Sequence, residues 1–217
     1  MNITHLGHSC LLVETSGVRI LIDPGTFSHG FEELTGLDAV LITHQHADHL
    51  DSDRLPALLE ANDGTRLITE PEVAVELDKV GLSAEPLHAG ESLDLAGVSL
   101  GGVGGVHAEI HPDIPRVGNI GIVMSAPGEP ALFHPGDCYD VVPEDVDVLA
   151  LPLSAPWAKV SETIEFARAV APQVAFPIHD EVASGAGRGI YMGAVTRLLP
   201  DGTTLVDLRG RGATTLP

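Results

Sequence analysis

The stretch Thr43-His44-Gln45-His46-Ala47-Asp48-His49-Leu50 decides how this chain is interpreted. It places three imidazoles and one carboxylate directly after an apolar run at 38–43. His44 and His46 alternate, so both rings can face one point, while Asp48 and His49 can serve a second point nearby. Zn²⁺, Mn²⁺ and Fe accept this mixture of nitrogen and oxygen donors. A metal site is therefore predicted, and a solvated histidine-rich loop is the alternative.

Three further polar residues follow apolar, strand-like runs downstream. Gly-Val-His107, His-Pro-Gly-Asp137 and Pro-Ile-His179 each end such a run. Loops that leave the strand ends of a rigid sheet are frequent positions for functional side chains. The pattern favours one site to which all of these residues contribute.

The order of these residues resembles that of the metallo-β-lactamase-fold hydrolases, which carry H-x-H-x-D-H, a third His, a metal-bridging Asp and a final His. The opening segments Ile3-Thr4-His5-Leu6-Gly7-His8-Ser9 and Ile20-Leu21-Ile22-Asp23-Pro24 are similar to the lactonase and phosphodiesterase-like branch, which includes L-ascorbate-6-phosphate lactonase-like proteins. The resemblance extends over nearly the whole chain. It implies an α+β fold, a four-layer αββα sandwich, with the predicted ligands along one edge.

The resemblance also implies a dinuclear metal centre. One ion would be held by His44, His46 and His107, the other by Asp48, His49 and His179, and Asp137 would bridge them. Two divalent ions are expected, Zn²⁺ in the first place, with Mn²⁺ or Fe as alternatives. A metal-bound hydroxide would then attack a small ester, lactone or phosphodiester. Asp48 is the predicted catalytic residue, because it can both orient the nucleophile and pass a proton to the leaving group.

Composition restricts the partners that this protein is expected to have. Its 217 residues carry 11 Lys and Arg against 31 Asp and Glu, a formal net charge of −20. Such a chain repels nucleic acids, whose phosphates are bound mainly by Lys and Arg. No apolar run approaches the ~18 residues of a membrane span, and the first residues lack the pattern of a signal peptide. We expect a cytoplasmic protein with a small-molecule substrate, and a homo-oligomer on general grounds.

Periodicity predicts alternating strands and helices throughout the chain. Strands are predicted at 10–15, 18–22, 38–43, 65–68, 118–124, 131–133, 146–151, 173–178 and 203–207, with a glycine-rich hairpin at 91–106. Helices are predicted at 51–61, 70–80, 161–170 (with Ser161 as N-cap) and 189–198. No linker or low-complexity tract interrupts this order, so residues 1–217 are predicted to form a single domain of two ββαβα-like halves that meet near residue 110.

Three residues beside the motifs are predicted to support the ligands. Asp23, in Ile-Asp-Pro, either orients a metal-binding imidazole by a hydrogen bond or is a turn residue before proline. His8 and His134 lie next to motif segments and either contact the ligands or are buried histidines with other partners.

Four residues are candidates for substrate contacts, with ordinary surface positions as the alternative. Trp157 lies in a loop near motif segments, and His111 stands four residues after His107. Arg188 and Tyr191 follow His179 in or beside the glycine-rich stretch 184–189, which is predicted to form a mobile lip.

Three functions are compatible with these residues. The first is a metal-dependent hydrolase of small molecules. The second is a diiron redox protein with the same ligands, because iron accepts these donors. The third is a non-catalytic, metal-stabilised binding protein, which the open ligand set disfavours because a structural site needs only four closed ligands.

Overall fold

Two seven-stranded sheets form the centre of the structure, a computed structural model that describes residues 1–217. The first sheet contains β1 (Asn2–His5), β2 (Leu11–Thr15), β3 (Val18–Ile22), β4 (Ala39–Ile42), β5 (Arg66–Thr69), β6 (Glu85–Pro86) and β14 (Thr214–Thr215). The second contains β7 (Ser92–Leu95), β8 (Val98–Gly104), β9 (Ile120–Ser125), β10 (Leu132–His134), β11 (Val148–Pro152), β12 (Val174–Ile178) and β13 (Thr204–Leu205). The helices are α1 (Leu55–Ala61), α2 (Pro71–Asp78), α3 (Val160–Val170) and α4 (Gly185–Leu198), with a short 3-10 helix at Phe31–Glu33.

The two sheets have the same pairing pattern. The first runs β14-β1-β2-β3-β4-β5-β6 and the second β7-β8-β9-β10-β11-β12-β13. In each order the first three pairings are antiparallel and the last three are parallel. The halves therefore meet between β6 and β7, and the predicted junction near residue 110 is wrong. The hairpin at 91–106 opens the second sheet and does not close the first.

Three apolar layers hold the elements together. The central layer joins the inner faces of both sheets through residues such as Ile20, Leu100 and Phe176. A second layer packs α1 and α2 on the outside of the first sheet, and a third packs α3 and α4 on the outside of the second. Strands β4, β11 and β12 are buried at every position, as expected for strands that are covered on both faces. The αββα sandwich predicted from the resemblance is present.

The helix starts differ from prediction at three places. Helix α1 was predicted to begin at 51 and begins at Leu55. Helix α3 begins at Val160, and the Glu162 carboxylate accepts the Lys159 backbone N–H at 2.8 Å, so Ser161 is not the N-cap. Helix α4 begins at Gly185, and the Ser184 hydroxyl oxygen accepts the Gly187 N–H at 3.1 Å. The predicted mobile lip is therefore the first turn of a helix. None of the four helices combines the length and apolar character needed to cross a lipid bilayer.

Candidate metal centre

The predicted ligands lie together where strands of both sheets end. His44 to His49 follow β4, and His107 follows β8. Asp137 follows β10, and His179 follows β12. Two groups result, each with possible ligand atoms within 4.8 Å of one another. The first contains His44, His46, His107 and Asp137, and the second contains His8, Asp48, His49 and His179.

Asp137 lies between the two groups. Its Oδ1 is 3.1 Å from Nε2 of His49, and its Oδ2 is 3.0 Å from Nε2 of His179, both in the second group. The same Oδ2 is 3.4 Å from Nε2 of His107 and 4.0 Å from Nε2 of His44, both in the first. One buried carboxylate thus contacts both sets of imidazoles, as a bridging ligand must.

Hydrogen bonds at Nδ1 orient four of the imidazoles. Nδ1 of His179 lies 2.8 Å from the Ser154 carbonyl oxygen, and Nδ1 of His107 lies 2.7 Å from that of Ala108. Nδ1 of His49 lies 2.7 Å from Oδ2 of Asp23, and Nδ1 of His44 lies 3.1 Å from the Thr43 hydroxyl. A proton on each Nδ1 satisfies these acceptors and leaves Nε2 with a free lone pair. The hydrogen bonds thereby fix the orientation of the rings, so that Nε2 of each one points at the centre.

The unsatisfied atoms of the centre fit cations. Nε2 of His49, Nε2 of His107, Oδ1 of Asp137 and Nδ1 of His8 are buried without a hydrogen-bond partner. An unpaired buried polar atom costs about 1–3 kcal/mol, so such atoms are rare unless a ligand satisfies them. Three of the four belong to the predicted ligands and converge on Asp137, and together they form a nitrogen and oxygen donor set suited to divalent ions.

Asp23 and Thr43 fix the loop that carries the motif. Asp23 is fully buried, and its carboxylate accepts the Thr43 N–H at 2.8 Å and the Thr43 hydroxyl at 2.7 Å. The same carboxylate contacts His49, so the hydrogen bond predicted for Asp23 is present. Gly25 allows the close approach of this segment, since a Cβ there would lie 1.9 Å from the Asp48 carbonyl oxygen.

Gly136 and Asn119 shape the turn before Asp137. The sequence predicts the role of Gly136 but not that of Asn119. Gly136 has φ +60°, and a Cβ there would lie 2.3 Å from Oδ1 of Asn119, so the predicted Pro135-Gly136 turn requires its glycine. Asn119 was not predicted, although its Oδ1 accepts the Asp137 N–H at 2.9 Å. Its side-chain amide also donates to the Pro135 carbonyl oxygen at 3.0 Å. No local sequence signal distinguishes this asparagine.

Burial and mutual charge set the protonation of the metal-free centre. Burial lowers the pKa of His44 well below its ordinary value, and the field of His49 lowers it further. Burial alone would lower the pKa of His49, but Asp137 and Asp23 raise it well above its ordinary value. Burial would likewise raise the pKa of Asp137, but His179 and His49 hold it well below its usual range. Protons therefore balance the carboxylates, and cations must displace them on binding.

His8 is part of the second ligand group. It is fully buried, and its Nε2 lies 3.0 Å from Oδ2 of Asp48. Its ring centroid is 4.1 Å from that of His179, and its carbonyl oxygen accepts the His179 backbone N–H at 3.0 Å. Burial lowers the pKa of His8 to about 4, so the ring is neutral. His8 thus contacts two predicted ligands at once.

The other supporting candidates differ in their distance from the ligands. His134 is fully buried, with Nε2 3.1 Å from the Ser9 carbonyl oxygen and 3.9 Å from Oδ2 of Asp23. Its Nδ1 accepts the Gly136 N–H at 3.2 Å, which places it behind the Asp137 turn. His111, one of the four substrate candidates, is exposed; its Nδ1 accepts the Asp113 N–H at 3.1 Å, and it belongs to neither ligand group.

The other three substrate candidates differ in whether they reach the metal centre. Trp157 reaches the centre, because its indole N–H donates to Oδ2 of Asp137 at 2.8 Å. Tyr191 lies on α4 and packs against the outer apolar layer of the second sheet. Arg188, also on α4, donates to Asp180 at 2.5 Å and to Asp207 at 2.8 and 2.9 Å. The Arg188 guanidinium is thus occupied by contacts that hold α4 to the fold.

We expect the Arg188→Leu substitution to lower the free energy of unfolding by about 2–4 kcal/mol, because it leaves the fully buried Asp180 carboxylate without its cation. Urea unfolding followed by circular dichroism measures this change. Arg197→Leu is the control, since Arg197 is exposed on the same helix and a surface substitution changes stability by about 0.5 kcal/mol or less. Equal stability of the two variants would contradict a structural role for Arg188.

Comparison with known proteins identifies the family. A family model described as a β-lactamase superfamily domain matches residues 2–179, a range that includes every predicted ligand. The chain therefore belongs to the β-lactamase superfamily. The superfamily resemblance and the fold predicted from it are confirmed.

Relatives and a solved structure agree with this assignment. Protein Rv0786c of Mycobacterium tuberculosis is 50% identical over 199 residues, which cover 91% of this chain and 92% of the relative. A UPF0173 metal-dependent hydrolase of Alkaliphilus metalliredigens is 28% identical over 193 residues, covering 82% and 85%. The structure of Igni18, a metallo hydrolase from Ignicoccus hospitalis, has a TM-score of 0.73 at 21% identity and covers 100% and 98%. At the level of a metal-dependent hydrolase, the predicted enzyme class is confirmed.

Proposed function

We propose that this protein is a dinuclear metal-dependent hydrolase of small uncharged or weakly charged molecules, with esters, lactones and phosphodiesters as the substrate classes. The observation that carries the proposal is the position of Asp137, whose two oxygens contact imidazoles of both ligand groups. Two ions held on either side of Asp137 would supply the Lewis acidity that a displacement at carbon or phosphorus needs. The pre-oriented imidazoles support Zn²⁺, with Mn²⁺ or Fe as alternatives.

Each predicted ligand is assigned to one of the two ions or to both. His44, His46 and His107 would hold the first ion, Asp48, His49 and His179 the second, and Asp137 both. When bound, the ions would supply Lewis acidity and lower the pKa of a coordinated water to ~7.

Asp48 is the proposed proton carrier. Its side chain is partly exposed, whereas that of Asp137 is buried. Burial would raise the pKa of Asp48, but the hydrogen bond from His8 and the fields of His49 and His179 hold it below its usual range. An ionised carboxylate at the mouth of the centre can accept the proton of an attacking water and deliver it to the leaving oxygen.

The charge of the chain supports a small-molecule substrate. A net charge of −20 disfavours nucleic acids and other polyanions. The resemblance of the opening segment to the lactonase and phosphodiesterase-like branch makes lactones the first class to test. We further propose that the protein acts in the cytoplasm, without a membrane or nucleic-acid partner and as a homo-oligomer.

Hydrolysis by metal-replete protein tests this proposal. Aryl esters, lactones and bis-aryl phosphates are offered as a panel, before and after treatment with a chelator. We expect turnover of at least one class, loss of turnover on chelation, and recovery on adding Zn²⁺ or Mn²⁺. A visible absorption band with bound iron and no hydrolysis would favour the diiron redox protein instead. Stoichiometric metal with no turnover of any kind would favour the non-catalytic binding protein.

We propose that His8 positions Asp48 at the second ion. A substitution that removes the hydrogen bond between these side chains, His8→Leu, is expected to weaken binding of one ion by about 10–100-fold, the range found when groups that orient metal ligands are removed. His8→Gln retains a donor and is expected to stay within a few-fold of the original protein. Competition between the protein and a chromophoric chelator gives both dissociation constants without any assay of turnover. Unchanged constants in His8→Leu, or equal weakening of both, would contradict this role.

A further inference from the structure

A cavity lies beside the metal centre and does not contain the predicted ligands themselves. Its volume is about 610 Å³, within the ~300–1,000 Å³ typical of small-molecule sites. It is lined on one side by Ala108 and Arg116 and on the other by α3. Arg116 Nε donates to the His107 carbonyl oxygen at 2.6 Å, and Ala108 follows His107 in the chain. The cavity wall is therefore continuous with the first ligand group.

Aromatic side chains form the floor of this cavity. The chain has only one Trp, two Tyr and five Phe, yet Trp157, Tyr139 and Phe166 all line it. The ring centroids of Trp157 and Tyr139 are 4.8 Å apart, and those of Tyr139 and Phe166 are 4.6 Å apart and stacked. Because the Trp157 indole also donates to Asp137, this aromatic row starts at the bridging ligand and runs away from it. Aromatic surfaces of this kind bind planar apolar groups.

The charged groups around the cavity are mostly acidic. Four carboxylates line it, those of Glu109, Asp140, Glu162 and Glu165, against the single cation of Arg116. The Arg116 guanidinium is not free, since it lies 3.6 Å from Asp140 in addition to its bond to the His107 carbonyl. Lys159 and Arg168 pair with Glu162 and Glu165 at the rim. The cavity thus has no unpaired cation to hold a negatively charged group.

We infer that this cavity binds the non-reacting part of the substrate, and that this part is an aromatic group that is neutral or positively charged. The inference rests on the proposed function, because the group would be held there while the scissile bond lies at the metal centre. It narrows the substrate to molecules with the reactive ester, lactone or phosphodiester at one end and an aromatic ring at the other. A carboxylate or phosphate on that ring would oppose binding.

The single tryptophan of the chain makes the inference testable by binding alone. Fluorescence of Trp157 reports occupancy of the cavity directly, since no other Trp is present. The probes are 4-nitrobenzyl alcohol, 4-nitrobenzylamine and 4-nitrobenzoate, which share a quenching ring and differ in charge. An excess of acetate in every sample occupies carboxylate positions at the metals, and free N-acetyltryptophanamide corrects for collisional quenching. We expect saturable quenching by the alcohol and the amine at concentrations at least about tenfold below those needed for the benzoate.

A positive charge added at the cavity provides the decisive variant. Val142 lines the cavity and is 43% exposed, so Val142→Lys adds a cation without disturbing the core. We expect it to lower the concentration of 4-nitrobenzoate needed for quenching at least about fivefold. It should raise the concentration needed of 4-nitrobenzylamine. Val80→Lys is the control, because Val80 is 72% exposed and follows α2, on the outside of the other sheet. Val80→Lys is expected to leave quenching by both charged probes unchanged.

Specific outcomes would overturn the inference. They are absence of saturable quenching by the alcohol and the amine, equal quenching by all three probes, or a Val142→Lys variant that behaves like Val80→Lys. None of these outcomes depends on turnover. Binding with the expected charge preference, but without hydrolysis, would instead refute the proposed function. The cavity would still be shown to bind neutral and positively charged aromatic groups.

Discussion

The Asp137→Asn protein is expected to lose hydrolytic activity by at least about three orders of magnitude, because the two cations that Asp137 is proposed to bridge would supply both the nucleophile and the charge stabilisation. The neutral amide is a poorer ligand than the carboxylate that contacts His49, His107 and His179. It also leaves protonated imidazoles without their counter-charge in a buried site. We therefore expect the metal content of the purified variant to fall together with kcat/KM.

Asp145→Asn is the matched control for this substitution. Asp145 is exposed in the loop before β11, and its φ of +56° suits Asn as well as Asp. We expect its metal content and kcat/KM to equal those of the original protein. Asp137→Asn protein that is folded by circular dichroism, retains both ions and keeps more than about a tenth of its activity would refute the bridging role.

The Asp48→Ala protein is expected to bind one ion fewer and to lose at least about two orders of magnitude in kcat, the lower range for a lost general acid–base group. Asp48 belongs to the second ligand group only, and its Oδ2 is 3.5 Å from Nε2 of His179. The first group remains intact without it. Metal analysis and steady-state kinetics on the same preparation measure the two effects together.

Asp53→Ala serves as the comparison, since Asp53 is an exposed aspartate five residues further along the same loop. It is expected to retain full metal content and activity. If Asp48→Ala protein still bound two ions and turned over substrate at the original rate, neither the ligand role nor the proton-transfer role of Asp48 would stand.

Sequence patterns predicted the interior strands because strands that are buried on both faces consist of continuous apolar runs. β4, β11 and β12 are uninterrupted apolar runs, and the observed strands lie within one or two residues of the predicted ones. Two edge strands of the first sheet, β6 and β14, were missed. β14 has only two residues, and Thr214 pairs with Ile3 at the other end of the chain, a contact that no local pattern encodes.

Helix α4 shows how tertiary contacts override propensity. Its first turn is Gly-Ala-Gly-Arg-Gly, and glycine disfavours helices by about 1 kcal/mol per residue relative to alanine. The Ser184 cap and the ion pairs of Arg188 with Asp180 and Asp207 stabilise that turn. Asp207 lies 19 residues after Arg188, so the local pattern does not reveal this ion pair and favours a glycine-rich loop.

The sequence predicts those parts of the candidate site whose residues belong to recognisable motifs. The seven predicted ligands do converge in the structure, and Asp23 contacts one of them, His49. The contact between His8 and Asp48 joins residues 40 positions apart, and that between Trp157 and Asp137 joins residues 20 apart. Such contacts follow from how strand ends meet across two sheets, which spacing along the chain does not determine.

The metal content of protein purified without chelators tests the central claim most directly. Inductively coupled plasma mass spectrometry, normalised to protein by amino-acid analysis, gives the number of ions per chain. We predict two ions per chain in hydrolytically active protein, and one in the Asp48→Ala protein. Full activity with a single ion, or with none, would contradict a dinuclear centre bridged by Asp137.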